Sequence, residues 1–117
     1  MANVREYQIT VPNVAAGTTV NTDLALQTGI RVASVWAIKT NANGTANATV
    51  QLQDGAGNAI SQAMVIGVAD TTIVRTTTIN DAFYDVTAAE GLRVACDNTA
   101  NSANTQCLVY CFGQPIA

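Results

Sequence analysis

The chain has 117 residues, a formal net charge of −3 and 11% charged residues, against 49% hydrophobic and 5% aromatic. It is too short for two independently cored domains and too apolar for a disordered chain. Its five basic residues, Arg5, Arg31, Lys39, Arg75 and Arg93, are scattered singly, whereas a duplex-binding surface needs clustered positive charge to displace counterions. No histidine is present, which removes His-based triads, most zinc sites and the usual near-neutral acid–base group.

The dominant hydrophobic period is two, the signature of half-buried strands. Segment 4–11 sets Tyr7, Ile9 and Val11 opposite Glu6, Gln8 and Thr10, and Pro12 then reads as its end. In 18–26, Val20, Leu24 and Leu26 share a face with Thr18 and Thr22. In 30–39, Ile30, Val32, Trp36 and Ile38 fall together as a core face, with Arg31 and Lys39 opposite. Asn41-Ala-Asn-Gly44 reads as a tight connection. In 45–53 the alternation is complete, with Ala46, Ala48, Val50 and Leu52 on one face. Asp54-Gly-Ala-Gly-Asn58 is the strongest hairpin signal and joins this strand to one near 59–66. It lacks the Lys-Ser/Thr of a phosphate loop. Further strands are expected at 71–79, 83–87, 91–97 and 105–112, with Pro115 closing the last. Segments 59–66 and 71–79 alternate poorly and read as edges, bulged strands or strands covered on both faces. Val86-Thr-Ala-Ala-Glu-Gly91 reads as a turn into the next strand, because Gly follows at once.

The sum is an all-β fold, a single β-sandwich domain over residues 1–117, with eight or nine short antiparallel strands. Residues 1–13 form either an N-terminal arm or the first strand. The apolar tail, Tyr110-Cys-Phe-Gly-Gln-Pro-Ile-Ala117, suggests pairing within the sheet or docking on a neighbour. No window approaches the roughly 20 apolar residues of a membrane span, and the first residues lack the pattern of a secretory signal. Neither nucleic acid nor membrane is therefore expected as a partner.

Candidate chemistry is sparse. Cys107 and Cys111 share one strand face about 13 Å apart, at ~3.3 Å per residue, too far for a bridge. Cys96 and Cys107 can face each other across a hairpin; the other reading is three buried thiols acting as small hydrophobes in a reducing compartment. With no adjacent base, a catalytic thiol is not expected. Asp81, Asp85 and Glu90 cluster, with Asp54 and Asp70 elsewhere, but without the spacing of a calcium loop they read as solvated carboxylates. No catalytic residue, cofactor or metal site is assigned, and an enzyme is not expected.

Three stretches together resemble a known family. They are Thr22-Asp-Leu24 leading to Gly29-Ile-Arg-Val32, Trp36 and Lys39; Asp70-Thr-Thr-Ile-Val-Arg-Thr-Thr-Thr-Ile79; and Ala88-Ala-Glu-Gly-Leu-Arg-Val94 followed by Cys107-Leu-Val-Tyr-Cys111. Over residues 18–112 their order and spacing are similar to the small β-rich decoration, or cement, proteins of tailed-bacteriophage heads. Cysteines stand where that pattern usually has Val or Ala. The resemblance implies a jelly-roll-like sandwich made in the host bacterial cytoplasm and carried on the virion surface. It implies binding to the major capsid protein, self-association as a homotrimer, and stabilisation of the lattice by bridging coat subunits. The contact surface is expected in the N-terminal segment, at Val4, Arg5, Glu6, Tyr7 and Ile9. The rival reading is a carbohydrate-binding or host-attachment module of a phage tail or fibre, which requires exposed rings among Tyr7, Trp36, Phe83, Tyr84, Tyr110 and Phe112.

Overall fold

The computed structural model describes residues 4–42, 46–67 and 71–116. Among the described residues nine strands form two antiparallel sheets: β1 (Arg5–Val14), β2 (Thr19–Leu24), β3 (Gly29–Lys39), β4 (Ala48–Asp54), β5 (Met64–Ile66), β6 (Ile73–Thr76), β7 (Asp85–Val86), β8 (Leu92–Asp97) and β9 (Thr105–Ile116). One sheet runs β1-β9-β3-β6, with β7 also on β3; the other runs β2-β8-β4-β5. Eight strands in these two orders trace the paired Greek keys of a jelly roll, and β7 is a short addition. The expected sandwich is therefore observed. The core between the sheets holds Ile9, Val11, Val35, Val50, Leu52, Val94 and Val109 among others. These are largely β-branched and medium-sized side chains, which suits two pleated inner faces about 10 Å apart.

Several strand ends depart from expectation. Pro12 does not end β1; the strand continues to Val14 through a register irregularity between Val11 and Val14. β1 is an edge strand, where a missing N–H is tolerated. Pro115 likewise lies inside β9, opposite Ile30. Among the described residues β1 pairs with β9 as far as Gly113, and none of those pairs involves Pro115. The poorly alternating segments are both edges: β5 closes one sheet and β6 the other. Of the connection at residues 41–44, positions 43 and 44 lie outside the described residues, as does Asp70.

β3 holds the largest correction. Gly113 pairs with Val32 and Phe112 with Ser34, leaving Ala33 as an extra residue. One inserted residue reverses every side chain beyond it. Ile30 and Val32 face the core as expected, but beyond the bulge Val35, Ala37 and Lys39 turn inward. Trp36 and Ile38 turn outward: Trp36 is 36% exposed, whereas Lys39 is 1% exposed. The Lys39 Nζ donates to the Gly67 carbonyl at 3.3 Å.

The β4–β5 hairpin forms at the Asp54 turn, but Asp54 is not a solvated carboxylate. It is buried and accepts from the backbone N–H of Ala56 and Asn58 and from Asn58 Nδ2, at 2.9–3.0 Å. Burial opposes its charge, but the hydrogen bonds from Asn58, Ala56 and Gly57 outweigh it and hold the pKa below its ordinary 3.8. A depressed native pKa contributes stability that is complete above the unfolded value and lost as pH falls through the native one. Asp54→Ala is expected to cost about 1–3 kcal/mol near neutral pH. Urea melts as a function of pH should also show a shallower loss of stability below pH 3.8 in the variant.

The residue-86–91 turn is confirmed. Thr87 and Glu90 cap each other reciprocally: Thr87 N–H donates to Glu90 Oε1 at 3.0 Å and Glu90 N–H to Thr87 Oγ1 at 3.2 Å. Gly91 follows with φ +70°, which a β-carbon would resist. The polar loop after β8 is built on Asn98, which is fully buried. Its Nδ2 donates to the carbonyls of Val14, Ala103 and Ala15, at 3.0, 3.0 and 3.3 Å. Its Oδ1 accepts from Asn101 Nδ2 and Thr105 Oγ1, at 2.7 and 2.6 Å.

All three cysteines are free and buried. Cys96 and Cys107 do not face each other across a hairpin, because β8 and β9 belong to different sheets. Both point into the core from facing sheets instead.

Candidate protein-interaction surface

The outward faces of the two sheets differ sharply. On the four-stranded sheet, β4 points Thr49, Gln51 and Gln53 away from the core, β2 points Asn21 and Asp23, and β8 points Arg93 and Ala95. These groups satisfy one another: Gln53 Nε2 donates to Gln51 Oε1 at 2.9 Å, and Arg93 pairs with Asp23 at 2.7 Å.

The five-stranded sheet instead presents apolar and aromatic side chains in register. Trp36 lies between Tyr110 of β9 and Arg75 of β6; one step along, Ile38 lies between Leu108 and Ile73. In the other direction Phe112 stands opposite Ser34 and Glu6. The Trp36 and Phe112 ring centroids are 5.9 Å apart at 63°, an edge contact. The Arg75 guanidinium covers the Trp36 ring at 5.2 Å. Ile73 is 55% exposed. Isolated surface apolar residues are ordinary, but a contiguous patch rimmed by polar groups marks an interaction site. Here the rim is Glu6, Gln8 and Thr10 along β1, with Arg75 on the opposite margin.

The N-terminal segment expected to make contact is divided by this geometry. Val4, Arg5 and Glu6 are exposed, and Glu6 borders the patch. Tyr7 is half-buried and its hydroxyl donates to the Thr28 carbonyl at 3.4 Å. Ile9 is a core residue, 2% exposed, because it shares the inward phase with Tyr7 and Val11. The alternation in 30–39 places Trp36 and Ile38 in the core and singles out none of Ile73, Arg75 and Leu108 as surface, while Tyr110 and Phe112 enter only as candidate exposed rings of the carbohydrate reading. One signal for them lies in β9, which is apolar on both faces. Small Cys107, Val109, Cys111 and Gly113 point inward while bulkier Leu108, Tyr110 and Phe112 point out.

Two of the exposed carboxylates, Asp85 and Asp23, are held in ion pairs. Asp85 accepts from Arg31 Nε and Nη2 at 2.6 and 2.9 Å, and Arg31 also lies 4.9 Å over the Tyr84 ring. The Arg31 hydrogen bond holds the Asp85 pKa down, as the Arg93 bond does for Asp23. Beside the Arg31 pair is a shallow depression of about 350 Å³ lined by Arg31, Val32, Ala33, Thr77, Ile79, Tyr84 and Gln114.

No family model matches the chain, and no curated protein matches it. Among solved structures, a chain of the cyanophage Pam1 capsid asymmetric unit has a similar fold. The TM-score is 0.60 at 16% identity, over 99% of this chain and 86% of that one. The crystal structure of FLHE is similar at TM-score 0.52 and 14% identity, over 96% and 98% of the two chains. A subunit of Bacillus endospore appendages, a family of disulfide-linked pili, is similar at TM-score 0.51 and 12% identity, over 100% and 92%. Each of these likenesses is one of fold.

Proposed function

We propose that this chain is a structural virion protein that decorates the outside of a tailed-phage capsid and stabilises the lattice by bridging neighbouring coat subunits. The observation that carries the reading is the contiguous face of Trp36, Ile38, Ile73, Leu108, Tyr110 and Phe112 on one side of a jelly roll whose other side is mostly polar, with Val65 alone as an exposed large apolar side chain there among the described residues. The fold likeness to a phage capsid chain supports it. The partner is the major capsid protein, and the sequence resemblance adds a homotrimeric arrangement on the virion surface. A subunit that binds only the assembled, expanded shell stabilises that state by mass action. Engaging several coat subunits at once multiplies the effect through effective concentration.

The test is co-sedimentation of the purified chain with expanded heads lacking it, followed by a heat challenge. Wild type is expected to bind and raise head survival. Trp36→Ser is expected to keep the fold and lose about 30-fold in affinity, the scale of an aromatic hot spot. Unchanged binding by this variant, or no gain in survival from wild type, overturns the reading.

The glycan-binding alternative has one observation in its favour, the pairing of Trp36 with Tyr110 on a flat sheet face. Against it, Arg75 lies over the Trp36 ring and Phe112 packs at its side, where a sugar needs a bare ring face. Specific glycan binding that Trp36→Ser abolishes, with no binding to heads, would establish that alternative.

A further inference from the structure

The cysteine pair between the sheets has no part in the surface described above. Cys96 lies on β8 and Cys107 on β9, and both are essentially inaccessible, at 0% and 1% exposed. The loop over residues 98–104 carries the chain from one sheet to the other, and its shoulders are tied where Thr105 Oγ1 donates to Asn98 Oδ1 at 2.6 Å. Period two then brings the next inward side chains on each strand to positions 96 and 107. Both side chains point inward from facing sheets, one inward step beyond the Asn98–Thr105 bond that ties this corner. Cys111 lies two inward steps from Cys107 on the same strand. Burial alone acts on it and pushes its pKa up to about 12.

We propose that Cys96 and Cys107 are a redox cross-linking site, at which a two-electron oxidant of the peroxide class forms a disulfide joining β8 to β9 across the sandwich. Each thiol acts most strongly on the other, and Lys39, the cross-strand partner of Cys107, favours negative charge at both sulfurs. One of the two sulfurs takes an oxygen from hydrogen peroxide as the O–O bond breaks, giving a sulfenic acid and one water. The other sulfur then displaces that oxygen, the S–S bond forms, and the thiol proton leaves with it as a second water. Peroxide is reduced and the two thiols are oxidised; no other reactant is needed. The site requires no partner, so it stands independently of the capsid reading.

The experiment treats the reduced, folded chain with hydrogen peroxide, quenches, then unfolds and alkylates it for intact mass and peptide mapping. The expected product is monomeric, lighter by two hydrogens, with one alkylatable cysteine instead of three and a linked peptide containing Cys96 and Cys107. Its thermal midpoint rises by about 5–10 °C over the reduced form. Cys111→Ser is expected to cross-link as wild type does. Three free thiols after treatment, a bond involving Cys111, a bond between two chains, or an unraised midpoint each overturns the proposal.

Discussion

Asn98→Ala is expected to cost about 3–5 kcal/mol, because several buried polar groups each lose a partner at once and each lost hydrogen bond costs about 1–3 kcal/mol. The carbonyls of Val14 and Ala103 lose the Asn98 donor, Ala15 keeps its bonds from Thr18, and Asn101 and Thr105 lose the Asn98 acceptor. The effect is less than additive, since the vacated space admits water. For a chain of this size the loss corresponds to a thermal midpoint lower by about 12–20 °C. Two controls separate hydrogen bonding from packing. Asn98→Asp keeps the shape but turns a carboxylate toward three carbonyl oxygens; it should be about as damaging at neutral pH and recover partly in acid, when a protonated carboxyl can donate. Asn21→Ala, on an exposed face, should change stability by no more than about 0.5 kcal/mol. Urea melts of the three variants decide it. An Asn98→Ala protein within about 1 kcal/mol of wild type would mean that the loop is not what ties β1 to the β8–β9 corner.

Strands with clean alternation were readable from the residues. Ala48, Val50 and Leu52 point inward as their spacing requires, and so do Ile9 and Val11. The surface was not readable, and the reason lies in β3. A one-residue bulge leaves no hydrophobic signature, and Ala33-Ser34 fits either face. Trp36 and Ile38 therefore looked like a continuation of Ile30 and Val32. Lys39 looked like a surface cation because nothing local announces a carbonyl at Gly67 that will receive its ammonium. Asn98 and Asp54 were hidden for a different reason. In a chain with 11 Asn and 16 Thr, a buried amide or carboxylate that organises a loop has the same local appearance as a solvated one. The cysteine geometry was misjudged because strands adjacent in sequence were taken as neighbours in a sheet. In a jelly roll most successive strands cross from one sheet to the other, so Cys96 and Cys107 lie on facing sheets. Glu6 borders the apolar face, but adjacency to a strand in another part of the chain is not visible from positions 4–9 alone.

Gly113→Ala tests the link between the bulge and the exposed tryptophan, and is expected to cost about 3 kcal/mol, the upper end of overpacking. Gly113 pairs with Val32 immediately before the bulge and with Arg5 on the other side. A β-carbon there would lie 2.0 Å from the Arg31 carbonyl oxygen and 2.8 Å from its carbon. The obstacle is backbone and cannot swing aside as a side-chain tip could. β3 must therefore separate from β9, or the bulge must relax and carry Trp36 toward the core. Either route alters the environment of the chain's one tryptophan, so its emission should shift under native conditions and binding to heads should weaken with it. Gly17→Ala is the control. Its φ of +74° imposes conformational strain, but nothing lies within 4 Å of a new β-carbon. About 1–2 kcal/mol is expected there, with Trp36 emission unchanged. If the two variants were equally stable, or if Gly113→Ala left the Trp36 spectrum untouched, the close approach of β9 to β3 would not be what holds the bulge and turns the aromatic face outward.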